Sequence, residues 1–306
     1  MMAYLLLVLG FLGLIYGGNL LVDGSVRLAR KWGVSPLLIG LTLVGFGTST
    51  PELMTSLLAV FQGAEGIAVG NVIGSNIANI LLVLGVAALL SPVPVDRRAF
   101  KRDGLFLGIS TLALIFAVFS GKIGHWDGII LVGILIFYVA YSYWSDKKRY
   151  KRDEHRETAG SGIVALIQTV GGIALTLAGA KLLVWSATDL AVRWGVSQSV
   201  IGLSIVAVGT SLPELITSII AALHRENEVA FGNVVGSNIY NALFILGLTA
   251  IFIPVRVPEG MGEDLWIMVA STAALMGIAL WKKEFTRWVG ALFLMAYAVY
   301  VWRLFA

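Results

Sequence analysis

Residues 32–85 and 194–247 align without a gap at an offset of 162, and 29 of the 54 paired positions are identical. A chain that carries one long segment twice is built from two similar units. Packing alone would preserve apolar and small residues, yet the identities include Thr, Ser, Glu and Asn. The units are strongly apolar: 58% of the chain is hydrophobic and 13% charged, about half the usual charge of a soluble domain. So little charge cannot clothe a water-facing shell, which excludes a soluble globular enzyme and a disordered chain. The absence of Cys excludes thiolate metal sites, iron–sulfur clusters and Cys nucleophiles.

Apolar stretches fall at about 1–29, 36–61, 65–91, 103–120, 125–145, 160–192, 198–223, 228–253, 263–281 and 285–304. Each is near the roughly 20 residues needed to cross a bilayer. The first lacks a basic leader and a cleavage site and reads as a span. The expected fold is an all-α membrane protein of ten transmembrane helices. Residues 1–144 form one five-helix repeat, 145–158 a cytoplasmic linker and 159–306 the second repeat. Five crossings is an odd number, so the second copy enters the membrane from the opposite side. Inverted repeats of this kind build secondary transporters, with the substrate site where the repeats meet near mid-membrane. With the charged run 145–158 in the cytoplasm, 17 Lys and Arg lie inside and 4 outside, the bias of the positive-inside rule. Both termini then face outward from the cell membrane. The net charge of +4 is too small to argue for nucleic acid.

Two polar blocks interrupt the apolar spans. Gly47-Thr48-Ser49-Thr50-Pro51-Glu52 recurs as Gly209-Thr210-Ser211-Leu212-Pro213-Glu214. A carboxylate at mid-span costs roughly 2.5–3.5 kcal/mol on insertion scales. The adjacent proline lacks an N–H and clashes with the carbonyl four residues back, so each helix is expected to break and free carbonyls near Gly47 and Gly209. Irregular backbone at that depth persists only where it lines a cavity or is buried in protein. The second block, Gly70-Asn71-Val72-Ile73-Gly74-Ser75-Asn76-Ile77-Ala78-Asn79, recurs over 232–241. Asn71, Ser75 and Asn79, like Asn233, Ser237 and Asn241, are spaced i, i+4, i+8 and form one polar stripe. Ser75, Asn79, Ser237 and Asn241 are read as ion ligands; Asn71, Asn76, Asn233 and Asn238 stay undecided between ligation and interhelical bonding. Carboxylates, hydroxyls, amides and carbonyls suit a hard cation, Na⁺ or Ca²⁺. One Ca²⁺ or two Na⁺ would neutralise Glu52 and Glu214.

The paired GTSxPE and GNxxGSNxxN blocks resemble the two alpha-repeats of the cation/calcium exchanger superfamily, most of all the prokaryotic type of its sodium/calcium exchanger branch. The resemblance covers nearly the whole chain. It implies antiport of Na⁺ against Ca²⁺ by alternating access, with no cofactor, in a protein that acts as a monomer within the lipid bilayer. It implies that Glu52, Glu214 and the Thr48 and Thr210 carbonyls hold Ca²⁺. Ser49, Ser75 and the Gly45 carbonyl would hold one Na⁺; Ser211, Ser237 and the Ala207 carbonyl would hold another. Asn79 and Asn241 would line the centre. Some archaeal relatives and the potassium-dependent branch carry Asp where this chain has Asn241, and animal sodium/calcium exchangers carry Asn; one fewer titratable group at the centre argues against a K⁺ requirement. The alternative is a Ca²⁺/H⁺ antiporter on the same fold; its relatives lack the Thr-Ser pair.

Overall fold

The computed structural model describes residues 2–150, 161–195, 207–258, 260–282 and 284–305. Helix α1 (Met2–Trp32) ends at Gly33, whose φ of 67° suits glycine. Ser35 caps the next helix, its Oγ accepting from the Leu38 N–H at 3.2 Å, and Pro36 occupies the first turn. A bent pair follows, α2 (Pro36–Thr48) and α3 (Thr50–Phe61), whose axes differ by 42°. Then come α4 (Glu65–Leu90), α5 (Arg97–Ser120), α6 (His125–Tyr150) and α7 (Gly162–Arg193). Short α8 (Ala207–Thr210), α9 (Leu212–Leu223), α10 (Asn227–Phe252), α11 (Gly262–Trp281) and α12 (Arg287–Phe305) complete the described helices. Elements recur at the sequence offset: α3 and α9, and α4 and α10, begin 162 residues apart.

Among the described residues, seven helices (α1, α4, α5, α6, α7, α10, α11) are long and apolar enough to span a membrane, and the bent pair makes an eighth. Burial runs the way a bilayer requires. Ser25, Ser49, Glu52, Thr169 and Asn241 are buried, whereas Leu105, Phe116, Ile136 and Ile163 face outward. Tryptophans at helix ends, Trp126, Trp144, Trp281, Trp288 and Trp302, are exposed, as interface anchors are. The first part of the expected span 198–223, residues 198–206, and the remainder of the linker, 151–158, lie outside the described residues.

Two elements start or end beyond their apolar stretch. The α5 helix begins at Arg97 because Asp96 caps it, accepting from the Arg98 and Ala99 N–H groups at 2.9 and 3.3 Å. The α6 helix continues to Tyr150, past the expected linker boundary at 145. There Asp146 Oδ2 accepts the Ser35 N–H at 2.6 Å, which ties α6 to the start of α2.

Helices α4 and α10 form the centre, buried over most of their length, whereas the other long spans are mostly uncovered. At one edge, α1 and α7 run antiparallel with their backbones in contact. A Cβ on Gly10, Gly17 or Gly172 would lie 2.7, 2.5 or 2.4 Å from the amide nitrogens of Leu183, Thr176 and Leu21. Small residues allow this approach. Elsewhere four two-residue strands form two antiparallel sheets. β1 (Val93–Pro94) pairs with β4 (Glu284–Phe285), and β2 (Lys122–Ile123) pairs with β3 (Val255–Arg256).

Close approach recurs where α2 crosses α10. A Cβ on Gly236 would lie 2.3 Å from the Leu41 carbonyl oxygen and 2.8 Å from its Cα, all backbone atoms. Gly236→Ala is therefore expected to destabilise the protein by about 1–3 kcal/mol through overpacking, read as a lower melting temperature in detergent. Gly171→Ala, with nothing within 4 Å, should leave that temperature unchanged or higher.

Candidate ion-binding site

Both breaks fall where the prolines demand. Ser49 (φ −79°, ψ 8°) and Ser211 (φ −87°, ψ 4°) leave helical geometry, and α3 and α9 restart with proline in the first turn. Glu52 and Glu214 occupy those same first turns, where the positive end of the helix dipole favours a carboxylate. The Gly45 carbonyl is not left free: it accepts the Ser49 N–H at 3.1 Å and the Ser237 Oγ–H at 3.5 Å. The helix axis bends while much of its bonding persists.

The two carboxylates are 1% exposed, and each is reached by a serine of the opposite repeat. Ser49 Oγ donates to Glu214 Oε1 at 3.0 Å, and Ser211 Oγ donates to Glu52 Oε1 at 3.5 Å. Two asparagines left undecided by sequence hold the broken backbone. Asn71 Nδ2 donates to the Glu52 carbonyl and to Ser56 Oγ, both at 3.0 Å. Asn233 Nδ2 does the same to the Glu214 carbonyl at 3.2 Å and Ser218 Oγ at 3.0 Å. Thr48 Oγ1 in turn donates to Asn233 Oδ1 at 3.1 Å.

Asn79 and Asn241 are buried, and each opens a wide π turn, Asn79–Val83 and Asn241–Ile245. Such turns insert a residue into a helix and collect at functional sites. Asn79 donates to Asn238 Oδ1 at 3.3 Å, and Asn241 to Asn76 Oδ1 at 3.1 Å. Ser75 and Ser237 are buried on the same two helices, Thr210 is partly exposed, and Ala207 opens α8.

Nine buried side-chain polar atoms among the described residues lack a partner within the protein, and four are Glu52 Oε2, Glu214 Oε2, Asn79 Oδ1 and Asn241 Oδ1. A hydroxyl can turn, but carboxylate and amide oxygens only accept. Buried acceptors call for a partner, and carboxylate and amide oxygens are groups that a hard cation accepts as ligands. Among the described residues no cluster of three or more His, Cys, Asp or Glu occurs. The donor set is therefore two carboxylates plus neutral oxygens, which fits a hard cation and not a transition metal.

The fold is that of a multi-pass helical membrane protein, with two carboxylates and two unpartnered amide oxygens buried among its helices. Residues 2–144 and 164–306 each match the family model described as sodium/calcium exchanger protein. The chain is 37% identical to the putative antiporter CaxA of Alkalimonas amylolytica, over all of this chain and 99% of that one. It is 34% identical to the sodium/calcium exchanger MaX1 of Methanosarcina acetivorans, covering 99% and 98% of the two chains. A solved structure of the sodium-calcium exchanger NCX_Mj superimposes with a TM-score of 0.87 at 33% identity, covering 97% of each chain. The chain belongs to the sodium/calcium exchanger family, a family of membrane transporters and not of enzymes.

Proposed function

We propose that the protein exchanges Na⁺ for Ca²⁺ across the cell membrane by alternating access. The observation that carries this reading is the reciprocal pair of bonds, Ser49 to Glu214 and Ser211 to Glu52, beside carboxylate Oε2 atoms that have no partner within the protein. Ca²⁺ brings two positive charges to the two glutamates. Two Na⁺ bring the same charge to the same oxygens, assisted by the flanking hydroxyls. The loads compete, so each is carried only after the other leaves. Glu52, Glu214 and the Thr48 and Thr210 carbonyls take Ca²⁺. Ser49, Ser75 and the Gly45 carbonyl take one Na⁺, and Ser211, Ser237 and the Ala207 carbonyl take the other. Asn79 and Asn241 line the centre.

Counting α2–α3, α8–α9 and α12 as spans gives ten crossings in two inverted repeats, acting as one monomer. Inversion is supported by the antiparallel α1–α7 seam and by the strand pairs. β1 and β3 are equivalent by offset, yet they sit at opposite ends of the 24-residue α5 helix, because β3 pairs with β2 beyond its far end. The pairs also join loops on one side: β1 with β4 in the predicted cytoplasmic loops, β2 with β3 outside.

The deciding experiment is Ca²⁺ uptake into proteoliposomes driven by an imposed Na⁺ gradient or an imposed pH gradient alone. Uptake on the Na⁺ gradient only is expected; uptake on the pH gradient without Na⁺ would make the protein a Ca²⁺/H⁺ antiporter. Ser211→Ala removes a ligand assigned to Na⁺. It should raise the Na⁺ concentration for half-maximal exchange several-fold and change the Ca²⁺ requirement less. The opposite pattern would reverse the assignment.

A further inference from the structure

We propose that Asn76 and Asn238 are positioning residues that fix the orientation of the amides of Asn241 and Asn79. The inference rests on the reading that those two amides offer their oxygens to the transported ion. An amide has an acceptor end and a donor end. Only the oxygen attracts a cation, and an amide turned by 180° would present its NH₂ group instead.

The structure ties down the donor ends. Asn241 Nδ2 donates to Asn76 Oδ1 at 3.1 Å, and Asn79 Nδ2 donates to Asn238 Oδ1 at 3.3 Å. Both bonds cross between repeats, and the two pairs are related by the 162-residue offset. All four asparagines are buried. With the NH₂ groups spent, the oxygens left over are Asn79 Oδ1 and Asn241 Oδ1, the two that lack a protein partner. Asn76 is itself held, its Nδ2 reaching the Asn238 carbonyl at 3.5 Å and Met268 Sδ at 3.8 Å. The two pairs meet at the start of the π turns of α4 and α10. Asn238 Nδ2 has no protein partner, so Asn76 is the better-held member, and each repeat supplies the acceptor for the other's amide.

The distinguishing test uses symmetry. A carboxylate presents an oxygen whichever way it turns, so Asn241→Asp has no need of an orienting partner. Ca²⁺ binding is read as the CaCl₂ concentration that gives half-maximal thermal protection of the purified protein in detergent. In the wild-type background, Asn76→Leu is expected to raise that concentration about tenfold or more, because the freed Asn241 amide can turn its NH₂ end to the cation. In the Asn241→Asp background the same substitution should raise it less than threefold. A merely structural Asn76 would cost the same in both, and that result would overturn the proposal. Should Asn76→Leu fail to insert, Asn238→Leu with and without Asn79→Asp asks the same question of the other pair. If Glu52→Gln and Glu214→Gln bind Ca²⁺ normally, the site reading fails along with the proposal. If they lose Ca²⁺ while Asn76→Leu binds it normally, the positioning role alone fails.

Discussion

Glu52→Gln is expected to reduce Ca²⁺ uptake into proteoliposomes to the background of empty vesicles, and Glu214→Gln to do the same. Each substitution keeps side-chain size and one oxygen but removes half of the charge that balances a divalent ion. In a low-dielectric site a missing unit charge a few ångströms away outweighs any neutral ligand. Serine bonds to both carboxylates survive in kind, since the amide oxygen still accepts from Ser211 or Ser49. The variants should insert and melt at or above the wild-type temperature without ions, because the buried charge was a cost. Near-normal uptake by either would remove the glutamates from the ion path.

The second large effect lies away from the ion site. Arg102 grips Asp103 with two nitrogens at 2.7 and 3.0 Å and donates to the Ser142 carbonyl at 3.1 Å, while Tyr138 Oη donates to Asp103 at 3.3 Å. The two charged side chains are 9% and 2% exposed. Arg102→Met leaves Asp103 buried without its counter-charge, expected to cost about 3–5 kcal/mol. The double variant Arg102→Met, Asp103→Leu should recover most of the loss, since removing both charges avoids the orphan. Position 265, the repeat equivalent of Asp103, is already Leu. Chemical unfolding of the purified protein in detergent measures both. A double variant as unstable as the single would show that the pair does more than satisfy itself.

The helices were legible because their apolar runs are long, and the breaks because Pro51 and Pro213 forbid continued helix. The glutamates stood out as charges at a depth where charge is expensive. What sequence spacing left undecided was long-range. Asn71 and Asn233 read as ambiguous polar residues, yet each clamps a carbonyl 19 residues away. Asn76 and Asn238 accept from the other repeat where Asn241 and Asn79 donate to it, and no local pattern encodes that. The π turns left no signal, because the polar stripe keeps ordinary helical spacing until Asn79 and Asn241. Arg102 counted as one more inward-biased charge, and only folding reveals it as the partner of a buried acid.

The two small sheets carry a mechanical consequence. Helix α5 is bracketed by β1 and β2, helix α11 by β3 and β4, and the strands pair crosswise at both ends. Arg97 adds a fastening at one end, donating to the Trp281 and Lys282 carbonyls. A slide of α5 along α11 by a single helical turn, about 5.4 Å, would tear both sheets at once. The pair is stiff in shear and acts as a brace of fixed length between the repeats. A displacement that keeps both sheets paired leaves the register of α5 on α11 unchanged.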